Sequence, residues 1–95
     1  MNIAIAGANG RMGRCLIEAV LNNDDARLHA GLVRPGCALI GQEVGLFTGQ
    51  KTGVLFTSDI KQALNSAEIL IDFTHPSSTL DHVNACVQHN IGMVI

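Results

Sequence analysis

Three glycines near the start of the chain have the spacing of a phosphate-binding turn. Gly7, Gly10 and Gly13 follow a short apolar segment at residues 2–6 and open a segment with helical periodicity. A strand-to-helix turn that holds a pyrophosphate needs a residue that tolerates positive φ, a backbone that phosphates can approach, and a helix packed close to the strand. We assign these requirements to the three glycines in chain order. Free N–H groups at the helix start, with Arg11 beside them, then supply positive charge for the phosphates.

The position of this glycine turn favours dinucleotide binding. The turn follows a predicted strand, opens a predicted helix and begins a βαβ unit, which is the context that a dinucleotide fingerprint requires. A P-loop is excluded because no Gly-Lys-Ser or Gly-Lys-Thr sequence is present. The first two glycines are one residue further apart than in the commonest fingerprint, and a turn that serves only as a tight connection is the alternative.

The end of the second predicted strand bears on which dinucleotide is bound. A carboxylate that holds the ribose 2'-hydroxyl is expected about 20 positions after the turn. Counting from Gly13, that position is Val33, and Arg34 follows it. A guanidinium can pair with a 2'-phosphate, so the sequence predicts that NADPH is accepted as well as NADH. The alternative is that Arg34 is a solvated loop residue.

The segment Ile-Asp-Phe-Thr-His-Pro at residues 71–76 ends another predicted strand. Ligands of open parallel sheets bind at the carboxyl ends of the strands, so we expect Phe73 and Thr74 to contact the cofactor. We expect Asp72 to hold nearby backbone N–H groups rather than to transfer protons, because carboxylates at strand ends more often do so.

The chain shows no metal-binding pattern. His82 and His89 are seven residues apart on one predicted helix, unlike the i, i+4 pair of a metal motif. His29 stands alone in a predicted strand, and we interpret all three as solvated or core histidines. The cysteines are odd in number and widely spaced, which argues against a disulfide framework and a zinc site and favours reduced thiols. They are Cys15, Cys37 and Cys86.

Composition excludes several classes of partner. The chain has 95 residues, 47% of them hydrophobic, which suits a single α/β domain at residues 1–95. The net charge of -2 and the lack of a basic run argue against nucleic-acid and membrane partners. No apolar stretch approaches the roughly 20 residues that span a bilayer. We therefore expect a cytoplasmic protein whose partners are small molecules.

The predicted elements alternate between strand and helix, which indicates a doubly wound, Rossmann-like parallel sheet. We predict that the first helix packs through Met12, Cys15, Leu16, Ala19 and Val20, and the last through Leu80, Val83 and Val87. Residues 34–53 lack a period and are predicted to form a long surface loop with one short helical turn. The strands are predicted at 2–6, 27–33, 54–57, 67–73 and from 93; the helices at 11–22, from Ser58 or Asp59 to 64, and from 76 to about 90.

The chain ends soon after the strand predicted to begin at Met93. Natural domains of this class rarely end inside a central strand, so we expect this chain to be a fragment of a longer protein.

Three segments together resemble dihydrodipicolinate reductase, also called 4-hydroxy-tetrahydrodipicolinate reductase, of bacterial lysine and diaminopimelate biosynthesis. They are GANGRMGR at residues 7–14, IDFTHP at residues 71–76, and the closing helix that leads into GMVI. The similarity extends over the whole chain, and the combination is far more specific than glycine spacing alone. The resemblance implies that the pyrophosphate region, the adenosine ribose and the cofactor cleft are contacted by Gly7, Ala8, Asn9, Gly10, Arg11, Met12, Arg34, Phe73 and Thr74.

The family's chemistry is hydride transfer from NADPH or NADH to an unsaturated heterocyclic dicarboxylate, from dihydrodipicolinate to tetrahydrodipicolinate. The resemblance implies this oxidoreductase activity for the parent enzyme. It also implies a C-terminal substrate domain, absent from this chain, through which the enzyme forms a homo-oligomer. It places the catalytic residues beyond Ile95, so we assign none here and expect this chain alone to be inactive.

Two departures bear on this resemblance. Many members have an acidic residue at the position of Val33, and some have Arg where this chain has His75. Two alternatives remain open: a non-catalytic dinucleotide-sensing module with the same fold, and another NAD(P)-dependent dehydrogenase.

Overall fold

The computed structural model describes residues 1–47, 49, 51–72 and 76–94, and in them strands and helices alternate along the chain. This alternation agrees with the predicted order, with boundaries shifted by a few residues. The elements are β1 (Asn2–Ala6), α1 (Arg11–Leu21), β2 (Arg27–Leu32), a 3-10 turn (Val44–Phe47), β3 (Phe56–Thr57), α2 (Ile60–Leu64), β4 (Ile69–Asp72), α3 (Pro76–His89) and β5 (Gly92–Val94).

The five strands form one parallel sheet in the order β3-β2-β1-β4-β5. The strand order reverses at β1, so β1 and β4 are neighbours although α1, β2, β3 and α2 separate them along the chain. In open α/β sheets this reversal opens a crevice at the carboxyl ends of the two strands. The structure confirms the predicted doubly wound, Rossmann-like class.

Both faces of the sheet are covered, as a parallel sheet requires. Ala4 and Ala6 of β1 face a cluster completed by α2 and α3, whereas Ile5 faces a cluster completed by α1 and the 3-10 turn. All three side chains are fully buried. The apolar run of β1 is therefore explained by its central place in the sheet.

The buried face of α1 agrees with the prediction at Val20 but differs from it at Met12 and Cys15. Gly13, Ile17 and Val20 are buried, whereas Met12 is 54% exposed and Cys15 is also exposed. Gly13 lies against the turn that precedes the helix, and this contact determines which side of the helix meets the sheet. Periodicity correctly identified an amphipathic helix, but the face that packs against the sheet is rotated from the predicted face by about one residue.

The buried face of α3 was also predicted wrongly. Leu80 is 68% exposed and Val87 is 74% exposed, whereas Cys86 is buried in the cluster against the sheet. The helix ends as the sequence predicts: Asn90 has φ 56°, and the Ile91 N–H donates to the Cys86 carbonyl at 2.9 Å. This is the left-handed termination that commonly closes helices.

The segment 34–53 is more ordered than a long loop. It contains the predicted helical turn, at Val44–Phe47, and its residues before that turn run antiparallel to the chain leading into β3. The Phe56 N–H donates to the Gln42 carbonyl at 2.9 Å, and the Val44 N–H donates to the Val54 carbonyl at 2.8 Å. Backbone hydrogen bonds thus hold much of this segment against the sheet edge.

Candidate functional site

The turn after β1 is anchored between β1 and β2. Gly7 has φ 75°, the left-handed conformation expected of the first glycine, and its N–H donates to the Leu32 carbonyl at 3.0 Å. The Ala8 N–H donates to the same carbonyl at 3.3 Å, and the Gly10 N–H returns to the Gly7 carbonyl at 3.0 Å. These bonds place the turn at the carboxyl edge of the central strands.

The two later glycines of the motif have different structural requirements. A Cβ at Gly13 would lie 2.8 Å from the Ala8 Cα and closer still to the Gly7 carbonyl oxygen, so only glycine allows α1 to pack here. A Cβ at Gly10 would lie 3.3 Å from that oxygen, and Gly10 has an ordinary φ of -77°. The fold alone therefore demands glycine at Gly13 and makes a weaker demand at Gly10.

The start of α1 carries backbone N–H groups suited to an anion. Gly10 is the N-cap and offers no side-chain cap, and the first turn contains no acidic residue. The Arg14 N–H makes the first helical bond, to the Gly10 carbonyl at 2.9 Å, so the N–H groups of Arg11, Met12 and Gly13 precede the helical ladder. Such groups, together with the helix dipole, are the features that bind anions at helix starts in other proteins.

The end of β2 presents Arg34 rather than Val33 to solvent. Val33 is 4% exposed and packs in the apolar cluster beneath α1, and its N–H donates to the Thr57 carbonyl at 2.8 Å. Arg34 is exposed and lies two residues after Leu32, whose carbonyl anchors the glycine turn. The expected position of a ribose carboxylate is thus filled by a core side chain, and a guanidinium comes next.

A tight turn links Arg34 to the glycine turn, and sequence reasoning missed it. The Cys37 N–H donates to the Arg34 carbonyl at 3.2 Å, with Gly36 at φ 86°. The Asn9 amide nitrogen lies 3.8 Å from the Cys37 sulfur, within reach of a weak hydrogen bond. Pro35 followed by Gly36 is the sequence signature of a type II turn and could have identified this connection.

The end of β4 carries a buried carboxylate. Asp72 is 2% exposed, and its Oδ2 lies 2.7 Å from Nδ1 of His82 on α3. The expectation that Asp72 binds backbone N–H groups overlooked this side-chain partner, and so did the interpretation of His82. Their separation of ten positions matches no local motif. The other predicted contacts at this edge, Phe73 and Thr74, lie outside the described residues, as does His75.

Cys86 lies near the same carboxylate. Burial raises the pKa of its thiol, and the negative charge of Asp72 raises it further. This thiol therefore remains protonated at neutral pH. Cys15, Cys37 and Cys86 are all free thiols in the structure.

Within the described part of the chain, no three His, Cys, Asp or Glu side chains come close enough to share a metal ion. No helix there is long and apolar enough to cross a membrane.

The family model described as "Dihydrodipicolinate reductase, N-terminus" matches residues 1–95. The chain belongs to this family. The family resemblance that the three sequence segments suggested is thereby confirmed.

Curated members similar to this chain carry the name 4-hydroxy-tetrahydrodipicolinate reductase. The protein of Burkholderia multivorans is 54% identical over 95 residues, and that of Chromobacterium violaceum is 52% identical over 94 residues. The alignments cover 100% and 99% of this chain but 36% and 35% of those proteins. The chain thus spans about a third of the length of the curated relatives it matches.

Solved structures share the fold at lower sequence identity. A structure titled dipicolinate-bound dihydrodipicolinate reductase from Paenisporosarcina sp. TG-14 matches with TM-score 0.75 and 23% identity, over 98% of this chain and 36% of that one. An amine dehydrogenase from Mycobacterium smegmatis matches with TM-score 0.74 and 16% identity, over 97% of this chain and 28% of that one. At these identities the likeness establishes the fold alone.

Proposed function

We propose that residues 1–95 are the dinucleotide-binding domain of a 4-hydroxy-tetrahydrodipicolinate reductase that accepts NADPH and NADH. One observation carries the proposal: the glycine turn, tightly packed through Gly13, leads from the end of β1, where the strand order reverses, straight into the uncapped start of α1. The names of the curated relatives supply the reaction class.

The residues of this edge fit a pyrophosphate. A phosphate needs backbone N–H donors, room for close approach and positive charge, and the turn at residues 7–12 offers each of these at the start of α1. In the proposed complex the backbone of this turn holds the pyrophosphate, and Arg11, which is exposed at the first helical position, adds charge.

We assign the adenosine ribose to Arg34. The tight turn that begins at Arg34 is joined to the glycine turn through Cys37 and Asn9, so the backbone that carries Arg34 lies beside the glycine turn. Because Val33 presents no carboxylate, nothing at this strand end repels a 2'-phosphate. We expect NADPH to bind at least as tightly as NADH.

When bound, the nicotinamide dinucleotide supplies a hydride to an unsaturated heterocyclic dicarboxylate. The residues of this chain bind and orient the cofactor, and we assign no catalytic residue among them. Because the curated relatives are about three times as long, we propose that the groups contacting the dicarboxylate, and those that join subunits, belong to the part of the enzyme outside residues 1–95.

Calorimetry on the 95-residue chain tests this proposal. We expect NADPH and NADH to bind weakly and adenosine, which lacks the pyrophosphate, to bind more weakly than either. A parallel assay with the unsaturated dicarboxylate is expected to show no turnover. Failure to bind any dinucleotide would refute the domain assignment, whereas turnover by the chain alone would refute the location of the substrate-binding groups.

A further inference from the structure

The carboxyl end of β4 holds the only buried charged residue among those that the structure describes. Asp72 is the last residue of β4 and pairs in register with Ala6, the last residue of β1. Gly7 follows Ala6 directly, so the buried carboxylate lies on the strand next to the start of the glycine turn. Adjacent strands are about 4.8 Å apart, which makes this a close neighbour of the proposed binding edge.

The partner of this carboxylate comes from a different layer of the fold. An ionised carboxylate only accepts hydrogen bonds, so His82 donates its Nδ1 proton to Asp72 Oδ2. The distance of 2.7 Å is that of a charge-assisted bond. The His82 side chain is 12% exposed, so little water competes for the contact.

This hydrogen bond joins the two ends of a short connection. Only residues 73–75 separate the end of β4 from the start of α3 at Pro76. The bond from Asp72 to His82 spans that connection and attaches the strand end to the second turn of the helix. Since the β4 end is also paired to Ala6, the bond fixes three things together: α3, the end of β4 and the strand that leads into the glycine turn.

Fold stability alone is a weak reason for such a pair. A buried salt bridge is often no more stabilising than apolar side chains of similar volume, because both of its charged groups lose their hydration. Leu70, two residues before Asp72 on β4, and Cys86, whose pKa the Asp72 charge raises, both belong to the apolar cluster on this face of the sheet. A polar pair at a strand end beside the glycine turn is better explained by a role at that edge.

The sign of the charge supports the same conclusion. An unscreened carboxylate beside the glycine turn would repel the phosphates of a dinucleotide. The Nδ1–H of His82 directs its positive end at the carboxylate and so reduces this repulsion. The influence of Asp72 on its surroundings is seen at Cys86, whose pKa it helps to raise.

We propose that Asp72 and His82 form a positioning pair for the cofactor edge, and that dinucleotide binding depends on the hydrogen bond between them. His82 acts through Asp72 and is a positioning residue rather than a catalytic one. The inference rests on the proposed function, since it concerns the same dinucleotide site.

Calorimetry with NADPH on three variants of the full 95-residue chain tests the pair. His82→Leu removes the donor, and we expect binding about tenfold weaker, which corresponds to about 1.4 kcal/mol. His82→Asn places an amide N–H close to the position of Nδ1, and we expect it to restore affinity to within about threefold of the wild type. His89→Leu is the matched control on the exposed end of α3, and its affinity should equal that of the wild type.

A measurement on the wild type removes dependence on variants that fail to fold. The imidazole NMR signals of His82 should shift as NADPH is added, whereas those of His89 should not. Unchanged affinity in a folded His82→Leu chain, or a His82 signal indifferent to NADPH, would overturn the inference and leave the proposed function intact. Failure of the wild type to bind NADPH would instead count against the proposed function.

Discussion

The ends of β1 and β4 lie side by side in the sheet, yet they are built by opposite means. At the end of β1 the chain turns through glycines, and the contacts are made by backbone atoms of Gly7, Ala8 and Leu32. At the end of β4 the contact is between two polar side chains, Asp72 and His82. One edge of the crevice thus depends on the lack of side chains and the other on their presence.

This difference determines what each end tolerates. A backbone turn packed to contact is sensitive to added volume. A pair of buried polar side chains is sensitive to the loss of either partner, because the remaining group loses a hydrogen bond that water no longer supplies. Substitutions and pH changes can therefore separate the two ends experimentally.

The largest expected effect comes from adding one methyl group to the backbone-built end. Gly13→Ala places a Cβ against the Ala8 backbone, and overpacking of this kind costs about 3 kcal/mol. Gly10→Ala is the matched control: its Cβ would lie 3.3 Å from the Gly7 carbonyl oxygen, which a shift of a few tenths of an ångström relieves. With the poorer helix cap, we expect this variant to lose about 1 kcal/mol. Urea unfolding of both variants measures the difference. Equal losses would show that close packing at Gly13 is not required.

The next effect concerns charge at the end of β2, beside the glycine turn. Arg34→Ala should weaken NADPH binding about tenfold, since a well-formed charge-assisted bond contributes about 1.5 to 3 kcal/mol. NADH, which lacks the 2'-phosphate, should be nearly unaffected. Calorimetry at low ionic strength is appropriate because salt screens exposed pairs. Similar losses for both cofactors would indicate that Arg34 stacks on the adenine or supports its turn.

A smaller effect on stability is expected from the pH dependence of another side-chain contact, between Glu43 and Thr52. Hydrogen bonds from Thr52 chiefly lower the pKa of Glu43, so the carboxylate's contribution to stability is present above its unfolded pKa of about 4.3 and is lost as pH falls through the lowered value. Glu43→Gln should lower the melting temperature at pH 7, and the difference from wild type should shrink at pH 3. Glu18→Gln, on the exposed face of α1, is the control. A difference that stays constant with pH would contradict this assignment.

The smallest perturbation requires no substitution: the rates at which two cysteines of the wild-type chain are modified are compared. Burial and the Asp72 charge keep Cys86 protonated, whereas Cys15 is exposed on α1. A disulfide reagent at pH 8 should therefore modify Cys15 much faster than Cys86, because the thiolate is the reacting form. Mass spectrometry of digests at early times separates the two sites. Comparable rates would show that the region around Asp72 opens readily.

The sequence was informative where the determinants are local. The glycine spacing predicted the turn, the left-handed Gly7 and the close packing at Gly13 because each depends on backbone geometry within seven residues. The contacts of the dinucleotide itself remain predictions. The alternation of elements was sufficient to predict a doubly wound sheet.

Periodicity was less reliable for the helix faces and for segment 34–53. Counting apolar residues gave α1 a face centred near Met12, but the helix packs around Gly13, which carries no hydrophobic side chain for such a count to find. In the same way Leu80 and Val87 suggested a buried stripe that the structure exposes. The segment 34–53 is ordered by turns and by pairing with residues 54–56, and neither produces a regular hydrophobic period.

By itself the sequence determined the fold class, the glycine turn and the family, because glycine conformations and motif spacing depend only on short stretches of chain. Only the tertiary structure decided that Asp72 meets His82, that Arg34 rather than Val33 faces outward, and that Cys37 lies against Asn9. These contacts join residues from separate elements. Their geometry depends on the register of the sheet and on the rotation of each helix against it, and hydrophobic patterning along the chain constrains both only loosely.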